Sequence, residues 1–358
     1  MRRAIGPTRF TRTDVAVLAS ALATELEVPA GNRPRVSVVI AAFNRSNVLK
    51  YALESVRAQT FEDWEVLVVG DHCTDDSQSV ADSFGDPRIR FVNLPHNMGD
   101  QSGPNSVGVR LGRGELISFL SQDDLWCRDH LGNLAQTLDA TGADMVVSSG
   151  FIVGSLSVNP AGDLAGEVEV VTRDPDASVQ PFENFVASGW MLTARLAERI
   201  GDWKAASSVR FHSSQEYLYR CWSAGATIRF SPATSFVRLP SIASPDAYAT
   251  ARDAEHRIVA PIVIQDDLKS LDALATRLPA PSATESVRAS AESDRNLKGL
   301  RLGIARRGDR IFARTFVAAM RLGWAPWEFR AAIAGVPRGG ANAVLRRIRG
   351  LPVEPDKN

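Results

Sequence analysis

Two adjacent carboxylates, Asp123 and Asp124, close the apolar run Leu116-Ile117-Ser118-Phe119-Leu120. The run has the length and character of a buried strand. Charge at the end of such a strand suits a core poorly, because unpaired ions are costly to desolvate. It suits the crevice outside the strand ends of an open α/β sheet, where ligands bind. It also suits a hard divalent cation, Mn2+ or Mg2+, which takes oxygen ligands and shares them with phosphates. Another acid, Asp71, ends the run Trp64-Glu65-Val66-Leu67-Val68-Val69-Gly70, and Glu216 stands early in a helical stretch, Ser213 to Ala224. A metal, a phosphate-bearing ligand and a proton acceptor together are the chemistry of group transfer. Each acid also has a plainer reading. Asp123 and Asp124 could cap a helix starting near Leu125, Asp71 could cap the helix after it, and Glu216 could be an ordinary exposed glutamate.

The elements that must position these acids alternate. Val36 to Ile40, Trp64 to Val69, Arg88 to Leu94 and Leu116 to Leu120 read as strands; Asn47 to Gln59, Ser77 to Phe84, Gly103 to Arg113 and His130 to Thr141 read as helices. This is a doubly wound α/β pattern, and right-handed crossovers place its polar strand exits along one edge. Asp144 to Val153 adds a strand, Asn159 to Pro181 reads as a hairpin or flexible loop, and Thr227 to Phe230 and Thr234 to Arg238 read as two short strands. A helix is expected between Val15 and Leu26, another from Arg257 to Leu274, and a linker from Pro279 to Ser293. The expected organisation is an N-terminal helical appendage (1–33), an α/β domain (34–240), a helix and linker (241–296) and a basic helical segment (297–358).

The chain has 358 residues, 44% of them hydrophobic and 23% charged, with Lys and Arg balancing Asp and Glu at 41 each. A zero net charge argues against nucleic acid as a partner. Cys73, Cys127 and Cys221 are far apart and form no C-x-x-C pair, which argues against a zinc site or disulfide framework and for a reducing cytoplasm. Arg9, Arg12 and Asp14 interrupt the N-terminal stretch, against a signal peptide, and no apolar run approaches the roughly 20 residues that span a bilayer. In the last segment Arg306, Arg307, Arg310 and Arg314 interleave with Ile304, Ile311, Phe312 and Phe316, followed by Trp324 and Trp327. Such helices can lie on an anionic membrane surface or pack on the catalytic domain through their apolar stripe.

Four pieces in order resemble family 2 glycosyltransferases. Val36-Ser-Val-Val-Ile-Ala-Ala-Phe-Asn-Arg45 is similar to that family's opening strand and loop. Glu65-Val-Leu-Val-Val-Gly-Asp-His-Cys-Thr-Asp-Asp-Ser77 resembles V-V-D-D-G-S-T-D. Asn97-Met-Gly99 with Asn105 and Gly108 resembles N-x-G…R-N-x-G, and Phe119 to Asp124 resembles F-L-D-x-D-D. The likeness covers about residues 35 to 150, fades to 240 and is absent beyond.

The resemblance implies a GT-A fold: a Rossmann-like, mixed, mostly parallel sheet flanked by helices, here with N- and C-terminal helical appendages. It implies an inverting transfer of a sugar from a nucleotide-diphosphate donor of UDP, GDP or dTDP type to a hydroxyl, the setting being glycan or surface-polysaccharide synthesis with a glycan or lipid-linked acceptor. Ala42, Phe43 and Asn44 then flank the nucleoside, Asp71 accepts from the base, Asn105 lines the donor side, Asp123 meets the diphosphate and, with Asp124, the metal, and Glu216 is the base. Three positions depart from the pattern: Gly70 and Ser121 stand where acids are expected, and Pro104 where an arginine is, leaving Arg110 or Arg45 to meet the diphosphate. These departures keep open a degenerate, non-catalytic sugar-binding protein. A nucleotidyltransferase-like enzyme is disfavoured because 41–45 holds neither Gly nor Lys, and a dinucleotide oxidoreductase because no G-x-G-x-x-G follows Ile40.

Overall fold

A computed structural model describes residues 12–26, 33–158, 164–177, 185–209, 212–239, 252–266 and 268–278, together with Tyr248 and Leu351. Helix α1 (Arg12–Glu25) leads into β1 (Val36–Ala42), α2 (Ser46–Arg57), β2 (Trp64–Gly70), α3 (Ser77–Asp82), β3 (Ile89–Asn93), α4 (Ser102–Leu111) and β4 (Leu116–Ser121). There follow β5 (Leu125–Trp126), α5 (His130–Thr141), β6 (Met145–Val158), β7 (Leu164–Val171), β8 (Trp190–Thr193), α6 (Ala194–Ile200), α7 (Ser213–Ser223), β9 (Ile228–Arg238), α8 (Ala254–Ile264), α9 (Leu268–Leu274) and β10 (Ala275–Leu278).

One ten-stranded sheet runs β10-β7-β6-β8-β4-β1-β2-β3, with β9 pairing β5 and β6. β1 pairs in parallel with both β2 and β4, while β8 pairs antiparallel with both β4 and β6. The chain therefore winds outward from β1 in one direction through β2 and β3, then returns to its other side with β4. That reversal opens a crevice outside the ends of β1 and β4. Val36, Val38, Val39 and Ile40 are fully buried, as are Val66 to Val69, which is what a strand covered on both faces requires. Val48, Leu49, Ala52, Leu53 and Val56 make one buried stripe on α2. Helix α4 crosses β1 so closely that a Cβ on Gly108 would stand 2.4 Å from Val39 Cγ1. Behind α4, α1 packs Val15 and Ala19 into a cluster with Val69, Leu94, Met98 and Val107.

The ends of the strands opposite the crevice are tied by Glu65. Its carboxylate accepts from Ser37 Oγ at 2.6 Å, from Arg113 N and Nε at 2.7 and 3.0 Å, and from Arg90 Nη2. Burial alone would raise the Glu65 pKa; these donors outweigh it and hold the group below the usual carboxylate range.

Two expectations change, and one reading left open is decided. β9 is continuous from Ile228 to Arg238, with Pro232 absorbed where its register against β6 shifts between Val147 and Gly150. The stretch after Val153 is a hairpin: β6 and β7 pair antiparallel from Gly150↔Val171 to Val158↔Leu164. The helix expected to run to Leu274 is two helices, broken where Asp266 takes φ 63. The linker at 279–293 and, apart from Leu351, the basic segment 297–358 lie outside the described residues. Among the described residues no helix is long and apolar enough to cross a membrane.

Candidate active site

The crevice holds a cavity of about 300 Å3 walled by the exits of β1, β2, β4 and β9 and the start of α7. Of the residues singled out in the sequence, Ala42, Phe43, Asp71, Asn105, Asp123 and Asp124 all line it; Asn44 and Glu216 do not.

At the β1 exit, Phe43 N donates to Gln122 Oε1 at 2.8 Å, and the Phe43 ring lies 5.8 Å from that of Tyr248, a second wall residue. Asn44, at φ 43, turns its Oδ1 towards the next loop and accepts from Thr74 N at 2.7 Å. It braces the loop after β2 and does not flank the cavity.

Asp71 is held and holding. Its N–H donates to Ala42 O at 2.7 Å, which fixes the β2 exit beside β1. Its two carboxylate oxygens accept from Met98 N (2.6 Å) and Gly99 N (3.0 Å), shaping a turn in which Gly99 takes φ 89. Gly70 has a local reason: a Cβ there would lie 2.7 Å from Asn93 Oδ1 and 2.9 Å from the Phe91 ring. Asn93 bonds both Cys73 N and Cys73 O at 2.8 Å, so a neutral amide fills the space an acid would need.

The β4 exit carries the acidic pair, and its two members live differently. Asp123 Oδ2 accepts from Arg45 Nη1 at 2.8 Å, with side-chain exposures of 11% and 5%. Its Oδ1 accepts from Ser121 Oγ, and its main-chain carbonyl bonds His256 Nε2 at 3.0 Å. Asp124 accepts from Ser188 Oγ and from Leu239 N. Burial, then the charge of Asp123, pushes Asp124 up to about 7. Neither acid caps a helix, since β5 intervenes and α5 begins only at His130.

This arrangement does not fit a cation held by the two aspartates. A guanidinium already sits on Asp123, and both oxygens of Asp124 are engaged by protein donors. Among the described residues no three His, Cys, Asp or Glu side chains converge as a metal set. The expectation of Mn2+ or Mg2+ on Asp123 and Asp124 is therefore at odds with the donor set.

Glu216 is a second departure. It is buried, takes Arg220 Nε on both oxygens at 3.0 and 2.9 Å, and pairs with Lys204 Nζ at 2.7 Å. Arg220 in turn donates to Ile200 O and Asp202 O at 2.6 and 2.8 Å. Glu216 thus clamps α7 to the end of α6. The α7 residues at the cavity are Ser213 and Ser214, with His212 just before them. Trp190 is fully buried beside Trp203, ring centroids 6.0 Å apart, and is a core residue. Cys73, Cys127 and Cys221 are free and buried.

Arg238 is the residue sequence reasoning missed. It ends β9 and, among the described residues, is the one Arg or Lys lining the cavity. Arg110, considered for the diphosphate, pairs with Asp202 at 2.8 and 2.9 Å and does not line it.

Residues 37–164 match the family model described as glycosyl transferase family 2. Over 116 residues the chain is 34% identical to the succinoglycan biosynthesis protein ExoO of Rhizobium meliloti, covering 32% of this chain and 33% of ExoO. Over 149 residues it is 28% identical to the GalNAc(5)-diNAcBac-PP-undecaprenol beta-1,3-glucosyltransferase of Campylobacter jejuni, covering 41% and 46%. The chain thus spans less than half the length of these relatives. The structure of residues 1–349 of TarS from S. aureus superposes with a TM-score of 0.50 at 15% identity over 88% of this chain and 87% of that one, a likeness of fold. The matched segment supplies β1 to β6 and the β1, β2 and β4 exits at the cavity; residues 37–164 thus match glycosyl transferase family 2, and the fold is of the GT-A type.

Proposed function

We propose that the chain transfers a sugar from a nucleoside-diphosphate donor to a hydroxyl acceptor, with inversion, in the assembly of a glycan or surface polysaccharide. The observation that carries this reading is the convergence of Asp71, Asn105 and Asp123 on one cavity at the β1/β4 reversal. The nucleoside lies against Ala42 and Phe43, with its base towards Asp71. The acceptor enters from the α7 side. Its oxygen attacks the anomeric carbon as the bond to the diphosphate oxygen breaks and that oxygen keeps the electron pair. The hydroxyl proton passes to His212, the titratable side chain at the α7 wall, in place of Glu216. Names of the matched relatives support a polysaccharide setting and an undecaprenyl-diphosphate-linked acceptor.

Incubation with UDP-, GDP- and dTDP-sugars, following release of the nucleoside diphosphate, tests the reading. Wild-type turnover that Asp123→Ala leaves unchanged would refute the site. A second reading, a nucleotide-sugar-binding protein without turnover, is favoured by one observation, the sequestered Glu216; binding of a donor without release would select it.

A further inference from the structure

We propose that Arg238 receives the donor diphosphate directly, so that binding and departure of the leaving group need no divalent cation. The inference rests on the transferase reading and assigns the charge partner of its leaving group.

Three observations carry it. The acid best placed to hold a metal, Asp123, is already neutralised by the buried guanidinium of Arg45 across 2.8 Å. The two basic residues that the sequence offered as phosphate contacts are committed elsewhere, Arg45 to Asp123 and Arg110 to Asp202. Arg238 is at the wall, partly exposed, at the C-terminal end of β9; among the described residues its charged end makes no hydrogen bond or ion pair and acts only through space on Asp124. β9 is brought there by parallel pairing with β6, in the register Ile152↔Arg238, and its next residue, Leu239, donates its N–H to Asp124 at 3.2 Å. The strand end that carries the guanidinium is thereby held beside the β4 exit, where the resemblance puts the diphosphate.

The chemistry matches. A guanidinium presents a planar fork of N–H donors that meets two phosphate oxygens at once and stays charged at any working pH. As the bond from the anomeric carbon to the diphosphate oxygen breaks, the electron pair stays on that oxygen, and the charge it brings is met by two N–H donors already in place. No proton moves at this end of the reaction. Preorganised donors aimed at a developing charge avoid reorganisation at the moment of bond breaking.

Calorimetric titration of the full chain with UDP, GDP and dTDP, in EDTA and again in MnCl2, tests this. At least one nucleotide is expected to bind in EDTA, with an affinity that Mn2+ changes by less than about 3-fold. Arg238→Gln is expected to weaken that binding by about 10-fold or more, Arg238→Lys to recover part of it, and Arg110→Gln to leave it within about 2-fold. Wild-type binding that requires Mn2+, or an Arg238→Gln variant of wild-type thermal stability that binds as tightly as wild type, overturns the proposal alone. Failure of all three nucleotides to bind in either condition overturns it together with the transferase reading. The wild-type comparison of EDTA with MnCl2 stands even if Arg238→Gln does not fold.

Discussion

Arg45 Nη1 donates to Asp123 Oδ2 across 2.8 Å, and the two side chains are almost entirely withdrawn from water. Arg45 also lies 5.4 Å from the centre of the Tyr248 ring. Removing one partner of a buried pair leaves the other charge uncompensated, at about 3–5 kcal/mol, whereas removing both costs less. Arg45→Met is therefore expected to lose about 3 kcal/mol or more in urea unfolding, and Arg45→Met with Asp123→Asn to regain part of it. Single and double variants that simply add would show that the pair does not act as a unit.

Glu216 and His212 make opposite predictions for catalysis. If Glu216 clamps α7 through Arg220 and Lys204, Glu216→Gln lowers thermal stability and reduces kcat by less than about 10-fold, without changing the shape of the pH profile. His212→Gln is expected to reduce kcat by about 100-fold or more and to remove the acid limb of kcat against pH. Loss of that limb in Glu216→Gln instead would return the base to Glu216.

Asp124 and His130 bend the stability curve in opposite directions. Asp124 rises from 3.8 to about 7, through burial and then through Asp123. Between those values the folded protein holds a proton that the unfolded chain has released, so stability falls as pH rises across that window. Burial pushes His130, stacked on Trp126, from 6.5 to about 3. There the unfolded chain takes up a proton that the folded one does not, so stability falls as pH drops through that range. Asp124→Asn should melt a few degrees above wild type near pH 8, with the gain shrinking towards pH 4, and His130→Gln should flatten the acid side. Thermal unfolding across pH checks both; differences from wild type that do not vary with pH would reject the assignments.

Glu65 joins Ser37, Arg90 and Arg113 in a buried network away from the cavity. Glu65→Ala leaves two guanidinium groups without their partner and is expected to cost about 3–5 kcal/mol in denaturant unfolding while nucleotide affinity is kept. The wild-type contribution is present above the ordinary glutamate pKa and lost as pH falls through the lowered value, since the unfolded chain protonates first.

The strands and their polar exits were legible because β1, β2 and β4 are covered on both faces and read as unbroken apolar runs. The acids at those exits could be placed at the crevice for the same reason. Glu216 was hard to place because the pattern thins where it stands; its i,i+4 spacing to Arg220 was the local sign of a helix ion pair. Arg238 had no motif around it. Only long-range pairing of β9 with β6 sets it opposite the β4 exit, and a strand's neighbour is not written in the strand. Asn93 was invisible in the same way, since the reason for Gly70 comes from β3. Pro232 gave a true local signal, a strand interruption, which the bulge against β6 overrode.

The family match starts at residue 37, but the cooperative unit starts earlier. Val15 and Ala19 of α1 close the apolar cluster that includes Met98, whose main-chain N–H is one of the two that Asp71 holds. Cutting the chain at the homology boundary would strip a hydrophobic lid from the back of the very turn that Asp71 holds at the cavity wall. At about 1.5–3 kcal/mol for each fully buried aliphatic side chain, α1 is a structural wall of the α/β domain, although it shares no residue with the family segment.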